Sequence, residues 1–422
     1  MLKSHQTYET LYADFRWDVP EQVNMAAQCL AYPAEQVAIL DFEHGPCSYG
    51  ELEARSAALA EALRAQGIER GDRVGVLRSQ DVWTAAAHLA IWSLGAISVP
   101  LFTLFQKQAL DSRTGDAGVS VIVTDASNAQ REMSAPALVP DGLNWTLGDR
   151  LTCVDTGAED PACLIYTSGT TGTPKGALHG HRVLSGHLPG VEMSHDFLGQ
   201  EGDCLWTPAD WAWIGGLFDV LMPALALGVP VVAARLAKFT PEACADVIAR
   251  TKARNVFFPP TALRMLKASD MKIDGLRTVA SGGEPLGAEM LDWGRRSFGL
   301  QINEFYGQTE CNMVASSCAA LFAPSAGCIG KPAPGFEIAV LDSDGKPSLE
   351  EGDVAIRKGA ASMMLRYWER PDATAEKFKG DWMITGDRGI WDGGYLRFMG
   401  REDDVITSSG YRIGPSEIED CL

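Results

Sequence analysis

Positive charge is scarce in this 422-residue chain: 36 lysines and arginines stand against 55 aspartates and glutamates, a net charge of −19. That balance argues against nonspecific nucleic-acid binding and against attraction to an anionic membrane. It does not exclude an anionic small ligand, because a local pocket of backbone N–H groups, lysine and arginine binds phosphate on an acidic protein. The ten cysteines (29, 47, 153, 163, 204, 244, 311, 318, 328, 421) contain no C-x-x-C pair, and the group His179, His181, His187 and His195 fits no metal motif. No zinc site is expected from them. The opening MLKSHQTYETLYADF lacks the apolar core of a signal peptide, so reduced thiols in the cytoplasm are expected. No apolar run is clean enough for a membrane span: residues 217–234 carry Asp219, two prolines and Gly228, and read as buried core. A Ser-His-Asp or Cys-His nucleophile pattern is also missing.

What is present is ordinary for a globular protein, 46% apolar and 22% charged. The length exceeds one hydrophobic core and predicts two or three domains or subdomains. Helical spacing of Leu52, Leu59 and Leu63 predicts a helix over 50–66, closed by Gly67. RVGVL (73–77), a helix over 81–96, ISVPL, and VSVIVTD (119–125) continue an alternation of strands and helices. Residues 126–160 are polar and weakly patterned, and read as loop or edge structure. VPVVAARL, PEACADVIARTKA, NVFFPP, TALRMLKAS and LRTVASGG repeat the alternation, which implies an α/β fold with mainly parallel sheets. After about residue 325 short alternating strands with Asp-Gly turns suggest a small β subdomain.

The densest chemistry lies in ACLIYTSGTTGTPKGALHGH, residues 162–181. An apolar strand runs into Thr167, Ser168, Gly169, Thr170, Thr171, Gly172, Thr173, Pro174, Lys175 and Gly176. Glycines let backbone N–H groups approach phosphate oxygens, hydroxyls add donors and Lys175 adds charge, a composition that suits a triphosphate. It is not the G-x-x-x-x-G-K-[ST] loop of P-loop NTPases, because Lys175 lies three residues after Gly172 and precedes a glycine.

YTSGTTGTPKG resembles the phosphate-loop signature of the adenylate-forming enzymes: acyl-CoA synthetases, amino-acid adenylation domains and luciferases. SGGEP (281–285), NEFYGQTE (303–310), TGD (385–387) and GREDD (400–404) resemble that family's further motifs, in order, so that the set spans about 240 residues. The resemblance implies ATP, Mg²⁺ and coenzyme A as ligands. It implies that Thr167, Ser168, Thr170 and Thr171, in the loop with Gly169 and Gly172, hold β- and γ-phosphates, with Lys175 near the departing pyrophosphate. Gly283, Glu284 and Pro285 would line the adenine, and Tyr306 would stack on it. Gln308 would belong to the nucleotide site, Thr309 would bond the α-phosphate and Glu310 would hold Mg²⁺. Asp387 would accept from both ribose hydroxyls, and Arg401 would donate to the ribose. Lys175, Thr309 and Glu310 are the residues expected to act on the reacting phosphates.

CLWTPADWAWIGGLFDV (204–220) carries three tryptophans. By resemblance Trp213 is the aromatic wall of the acid pocket, followed by Ile214 and Gly215; Trp206 and Trp211 fit core packing equally well. Acetyl-CoA synthetases carry a tryptophan directly before Gln-Thr-Glu; here that position is Gly307, which implies room for a short- to medium-chain or aryl acid. The resemblance thus implies an ATP-dependent acid:CoA ligase. An amino-acid adenylation domain, with Asp219 pairing a substrate amine, and an ATP-binding protein without turnover are alternatives. The family's domain plan implies an AMP-binding domain over 1–402, with α/β subdomains near 1–185 and 186–324 and a β subdomain over 325–402. Residues 403–422 would be the hinge, at Asp403, and a stub of a small C-terminal domain otherwise absent. There Gly410 would approach coenzyme A and Arg412 a nucleotide phosphate. Neither nucleic acid nor a membrane is expected as a partner.

Overall fold

The computed structural model describes residues 2, 7–167, 174–325 and 327–401, and the backbone alone of 406–408 and 411–413. Two large sheets share one core. The first has seven strands in the order Arg366–Tyr367, Lys175–Gly180, Pro161–Thr167, Ile97–Pro100, Arg73–Leu77, Val119–Thr124, Ala137–Leu138. From Pro161–Thr167 onward neighbours run parallel, as the strand–helix alternation predicts. The second has nine strands, with a parallel centre formed by Ile302–Tyr306, Thr278–Gly282, Asn255–Phe257, Leu205–Trp206, Val231–Ala233 and Val37–Asp41. A third, antiparallel sheet contains Ile338–Leu341, Gly352–Arg357, Trp382–Asp392 and Tyr395–Arg401.

Local sequence sets the helices between the sheets. Ser48 caps Tyr49–Ala65 through a reciprocal box with Glu51, and Asp81 caps Val82–Ser93 by accepting from the Thr84 N–H. Val82–Ser93 is apolar all round and buried, so it packs against elements of both sheets. Trp92 of this helix stacks on Phe218 with ring centroids 6.1 Å apart. The same core cluster takes Val74 and Ile165 from the first sheet and Ile39, Phe257 and Phe305 from the second.

Sheet membership does not follow the division expected near residues 185 and 325. Val37–Asp41 and Gly45–Ser48 join the second sheet, and Arg366–Tyr367 returns to edge the first by pairing with Lys175–Gly180. Local patterning marks a strand but not its partner, which lies about two hundred residues away for Val37–Asp41 and for Arg366–Tyr367. The phosphate-loop sequence also differs from a strand-to-helix turn. Its flanks, Pro161–Thr167 and Lys175–Gly180, form an antiparallel pair with Thr167 opposite Lys175. Among the described residues no helix is long and apolar enough to cross a membrane.

The segment 360–363 is tied across this arrangement. The Arg182 guanidinium donates to the Ala361 and Met363 carbonyls, at 2.5 and 2.8 Å. Gly186 faces the same segment so closely that a Cβ there would lie 2.1 Å from the Ser362 nitrogen. Gly186→Ala is therefore expected to destabilise the protein by roughly 1–3 kcal/mol. Gly115→Ala, in the helix Lys107–Ala117 with open space around it, should be stabilising by about 0.5–1 kcal/mol. Urea unfolding of the two variants checks the contrast; equal effects would show that the 360–363 contact does not constrain the fold.

Candidate active site

A cavity of about 300 Å³ opens beyond the carboxyl ends of Thr278–Gly282 and Ile302–Tyr306, bordered by Asp387 and Arg401 of the third sheet and by Trp213 and Ile214. Carboxyl ends of parallel strands are where α/β sheets leave a crevice, because the chain departs there in opposite directions. Gly283, Glu284, Pro285, Tyr306, Gly307, Gln308 and Thr309 line it as well. Motifs distant in sequence thus meet at one chamber.

Asp387 is the hub of one end. Its Oδ2 accepts from the Tyr306 hydroxyl at 2.5 Å and from Gln308 Nε2 at 2.7 Å, and its Oδ1 lies 3.6 Å from Arg401 Nε. Arg401 stands opposite Asp387 in the strand register, which fixes the pair without help from side-chain packing. Burial raises the Asp387 carboxyl, and the Tyr306, Arg401 and Gln308 groups pull it back only partly. Two protein donors already occupy Oδ2, so Oδ1 is the oxygen left to face a ligand.

Glu310 sits beside this hub with the opposite electrostatics. Burial pushes its carboxyl up, but the Lys377 ammonium 3.9 Å away, the Tyr367 hydroxyl and a backbone donor outweigh it, and it stays below the ordinary carboxylate range. Lys377 also donates to Gln308 Oε1 and to the Thr385 carbonyl, at 3.3 and 3.2 Å. Lys175 lies over the Tyr367 ring, 5.6 Å from its centroid. Lys175, Tyr367, Glu310 and Lys377 therefore form a continuous row. No described group of three or more His, Cys, Asp or Glu side chains suits a metal ion. A single ionised carboxylate nevertheless fits Mg²⁺, which takes one or two carboxylates when phosphates supply the rest.

Glu304 and Asp219 are the chamber's other buried acids. Glu304 Oε1 accepts from the Leu286 N–H at 3.2 Å, its Oε2 has no partner among the described residues, and burial pushes its carboxyl up to about 8. Glu304 lies within NEFYGQTE but has no role among the expected site residues, although an acid in the buried strand INEFY is itself a signal. Lys377 and Tyr367 carried no such signal. Asp219 lines the chamber together with Asn312, which donates to it.

Trp213 borders the cavity, tilted against Phe257 at 5.8 Å, and a Cβ at Gly215 would lie 2.8 Å from its ring. Trp206 and Trp211 are wholly buried in the core. Gly307 requires a correction. The missing side chain does not open space there: a Cβ at 307 would lie 2.1 Å from the Met313 nitrogen and 2.7 Å from the Asn312 carbonyl carbon. The backbone of 312–313 has closed on the position. Glu284 is held by Arg264 Nη2 at 2.6 Å. Ser168, Gly169, Thr170, Thr171, Gly172, Asp403 and Gly410 lie outside the described residues, as does the side chain of Arg412. A second cavity of about 400 Å³ shares Trp213 and reaches Arg235 and Lys238.

The family model described as AMP-binding enzyme matches residues 25–368. The mitochondrial acyl-coenzyme A synthetase ACSM3 of Mus musculus is 30% identical, over 100% of this chain and 79% of the relative. Among solved structures, an acyl-CoA synthetase of Brucella canis superposes with a TM-score of 0.84 at 30% identity, covering 99% of this chain and 83% of its own. ATP-bound MatB from Rhodopseudomonas palustris superposes with a TM-score of 0.79 at 29% identity, over 94% and 82%.

The Glu304 environment generates a test in the ligand-free protein. The folded state holds a proton that the unfolded chain releases near its ordinary value of 4.5. This contribution to stability is complete below that value and is lost as pH rises through about 8. Between those limits the Glu304 term should lower stability by up to about 1.4 kcal/mol per pH unit. Urea unfolding of wild type and Glu304→Gln at pH 5.5 and 8 is expected to show the variant gaining relative stability at the higher pH. A difference that does not change with pH would show that Glu304 ionises normally.

Proposed function

The chain belongs to the family of AMP-binding enzymes, and we propose that it is an AMP-forming carboxylic acid:CoA ligase. The observation that carries this reading is the single chamber that brings two unlike groups of side chains together. The Asp387, Tyr306, Gln308 and Arg401 array suits a nucleoside. Trp213 and Ile214 suit an acyl group.

A free carboxylate is a poor acylating agent because its leaving group would be oxide. In the proposed first step a carboxylate oxygen attacks the α-phosphorus of ATP, the bond to the bridging oxygen breaks, and pyrophosphate leaves. The product is an acyl–AMP anhydride. In the second step the thiol sulfur of coenzyme A, having given up its proton, attacks the acyl carbon and AMP departs. Neither step requires a protein nucleophile.

Each side chain then has a task set by its environment. Asp387 Oδ1 and Arg401 engage the ribose, and the Tyr306 ring covers the adenine beside Gly283, Glu284 and Pro285. Glu304, protonated at neutral pH, offers one O–H donor and one acceptor, complementary to the amine edge of adenine. Thr309 donates to the α-phosphate, where charge builds during attack. Lys175 and Thr167 lie at the phosphate-loop flanks, where pyrophosphate departs. Glu310 holds Mg²⁺, which when bound neutralises phosphate charge. Lys377 keeps Glu310 ionised and ready for the cation. Arg235 and Lys238 give the second cavity a positive wall suited to coenzyme A, and Trp213 separates that cavity from the acid. The nine described cysteines are all free, which supports a reducing compartment such as the cytoplasm.

Pyrophosphate release across acetate, propionate, hexanoate and benzoate, with and without coenzyme A, tests this reading. At least one of these acids is expected to release pyrophosphate, and acyl-CoA should form only with the thiol present. No pyrophosphate from any of them would overturn the ligase reading. Glu310→Gln should reduce Mg²⁺-dependent turnover by about a hundredfold or more; unchanged turnover would remove its cation role.

A further inference from the structure

Asp116 belongs to none of the motifs, yet it ties two segments of the site together. It lies in the last turn of Lys107–Ala117, where a negative charge meets the negative end of the helix dipole and is locally unfavourable. Its two carboxylate oxygens reach different parts of the chain. Oδ2 accepts from the Tyr166 hydroxyl at 2.8 Å, and Oδ1 accepts from Arg370 Nη2 at 2.6 Å. Its carbonyl accepts from Trp368 Nε1 at 3.2 Å. Tyr166 directly precedes Thr167 in the strand Pro161–Thr167 and stands opposite Gly176, as Thr167 stands opposite Lys175. Gly176 closes the ring from the other side, since its carbonyl accepts from the Trp368 N–H at 2.7 Å. An isolated surface ion pair contributes little. Here one carboxylate bridges two segments that are far apart in the chain and adjacent in the fold.

We propose that Asp116 is a positioning residue for the phosphate chemistry, holding Lys175 and Glu310 at a fixed separation. The proposal rests on reading those two residues as groups that act on the phosphates of ATP. On one side Asp116 anchors Tyr166, and with it the strand pair that ends at Thr167 and Lys175. On the other side it anchors Arg370 in the segment that follows Tyr367. Tyr367 is the meeting point. Its hydroxyl donates to Glu310 Oε1, its ring lies under Lys175, and its backbone pairs with Ala177. Lys175 and Glu310 serve the same MgATP at the same moment, so a shift of either segment misaligns the cation against the departing pyrophosphate. Groups behind the ligating residues tune a site in this way. Asp116 does not line the chamber and acts through Tyr166 and Arg370.

The test is a split between two Michaelis constants. Pyrophosphate release would be measured with the fastest of acetate, propionate, hexanoate and benzoate, varying MgATP and the acid in turn. Asp116→Leu removes both acceptors. It is expected to lower kcat/KM for MgATP by about ten- to a hundredfold, chiefly through a raised KM, while the KM for the acid stays within about twofold of wild type. Asp116→Asn keeps an oxygen for Tyr166 but loses the charge facing Arg370, so its effect should fall between. Tyr166→Phe removes one arm and should move the MgATP constant in the same direction; added to Asp116→Leu it should cost nothing more. A loss of kcat with the KM for MgATP unchanged would mark only a smaller folded fraction and overturn the proposal. Equal rises in both Michaelis constants, or kinetics like wild type, would overturn it too. If Asp116→Leu does not fold, Asp116→Asn and Tyr166→Phe decide by the same split. Wild-type protein that releases no pyrophosphate with any of the four acids would overturn the ligase reading itself, and this proposal with it.

Discussion

The contact on which the site depends is the one between the Asp387 carboxylate and the Tyr306–Gln308 segment. Asp387 rides on the antiparallel third sheet, and Tyr306 ends a parallel strand of the nine-stranded sheet. Their bond, with that from Gln308, closes one wall of the chamber using groups 79–81 residues apart in the chain. A buried carboxylate without donors is costly, so the two sheets hold each other in place through the need to satisfy it. Gln308 then passes the constraint on: its amide also donates to the Thr385 carbonyl, which accepts from Lys377 as well. Lys377 in turn faces Glu310. The nucleoside end and the cation end are therefore one connected network.

That network lets an acidic protein approach a polyanion. With a net charge of −19 the long-range field is unfavourable to ATP. Locally the balance differs. Glu304 is neutral at pH 7, Glu310 is faced by Lys377, Asp387 is faced by Arg401, and Lys175 stands at the phosphate-loop flank. These three acids are driven to different protonation behaviour by burial and neighbours, which gives them different roles. The lysines and arginine act at short range in a site of low polarity, where their effect exceeds that of distant surface carboxylates.

The motifs make much of this legible in the amino-acid sequence itself. SGGEP, NEFYGQTE and TGD are short because each is a strand end or turn whose backbone must take one course. Gly283 illustrates this: its φ of +103° admits glycine readily and other residues poorly. The α/β class is legible for a similar reason, since apolar strands and amphipathic helices have different periods. What escapes is pairing at a distance. Nothing local in Val37–Asp41 names Val231–Ala233 as its neighbour, and nothing in TAEKF places Lys377 beside Glu310. Glu304 escapes through emphasis, for a charge in a buried strand is rare enough to be a signal by itself.

Gly307 shows why composition at one position is a weak guide to volume. A missing side chain implies space only if the backbone stays where it would otherwise be. Here the Asn312–Met313 backbone occupies the direction in which a Cβ would project, and Met313 adopts a left-handed conformation with φ of +44° at that place. Glycine at 307 therefore lets the segment carrying Asn312 press against the chamber. Asn312 is the residue that donates to Asp219. The absence of a side chain at 307 thus bears on the polarity of the chamber through the partner it brings close. Size selection falls instead to Trp213 and Ile214, whose ring and branched side chain border the cavity directly.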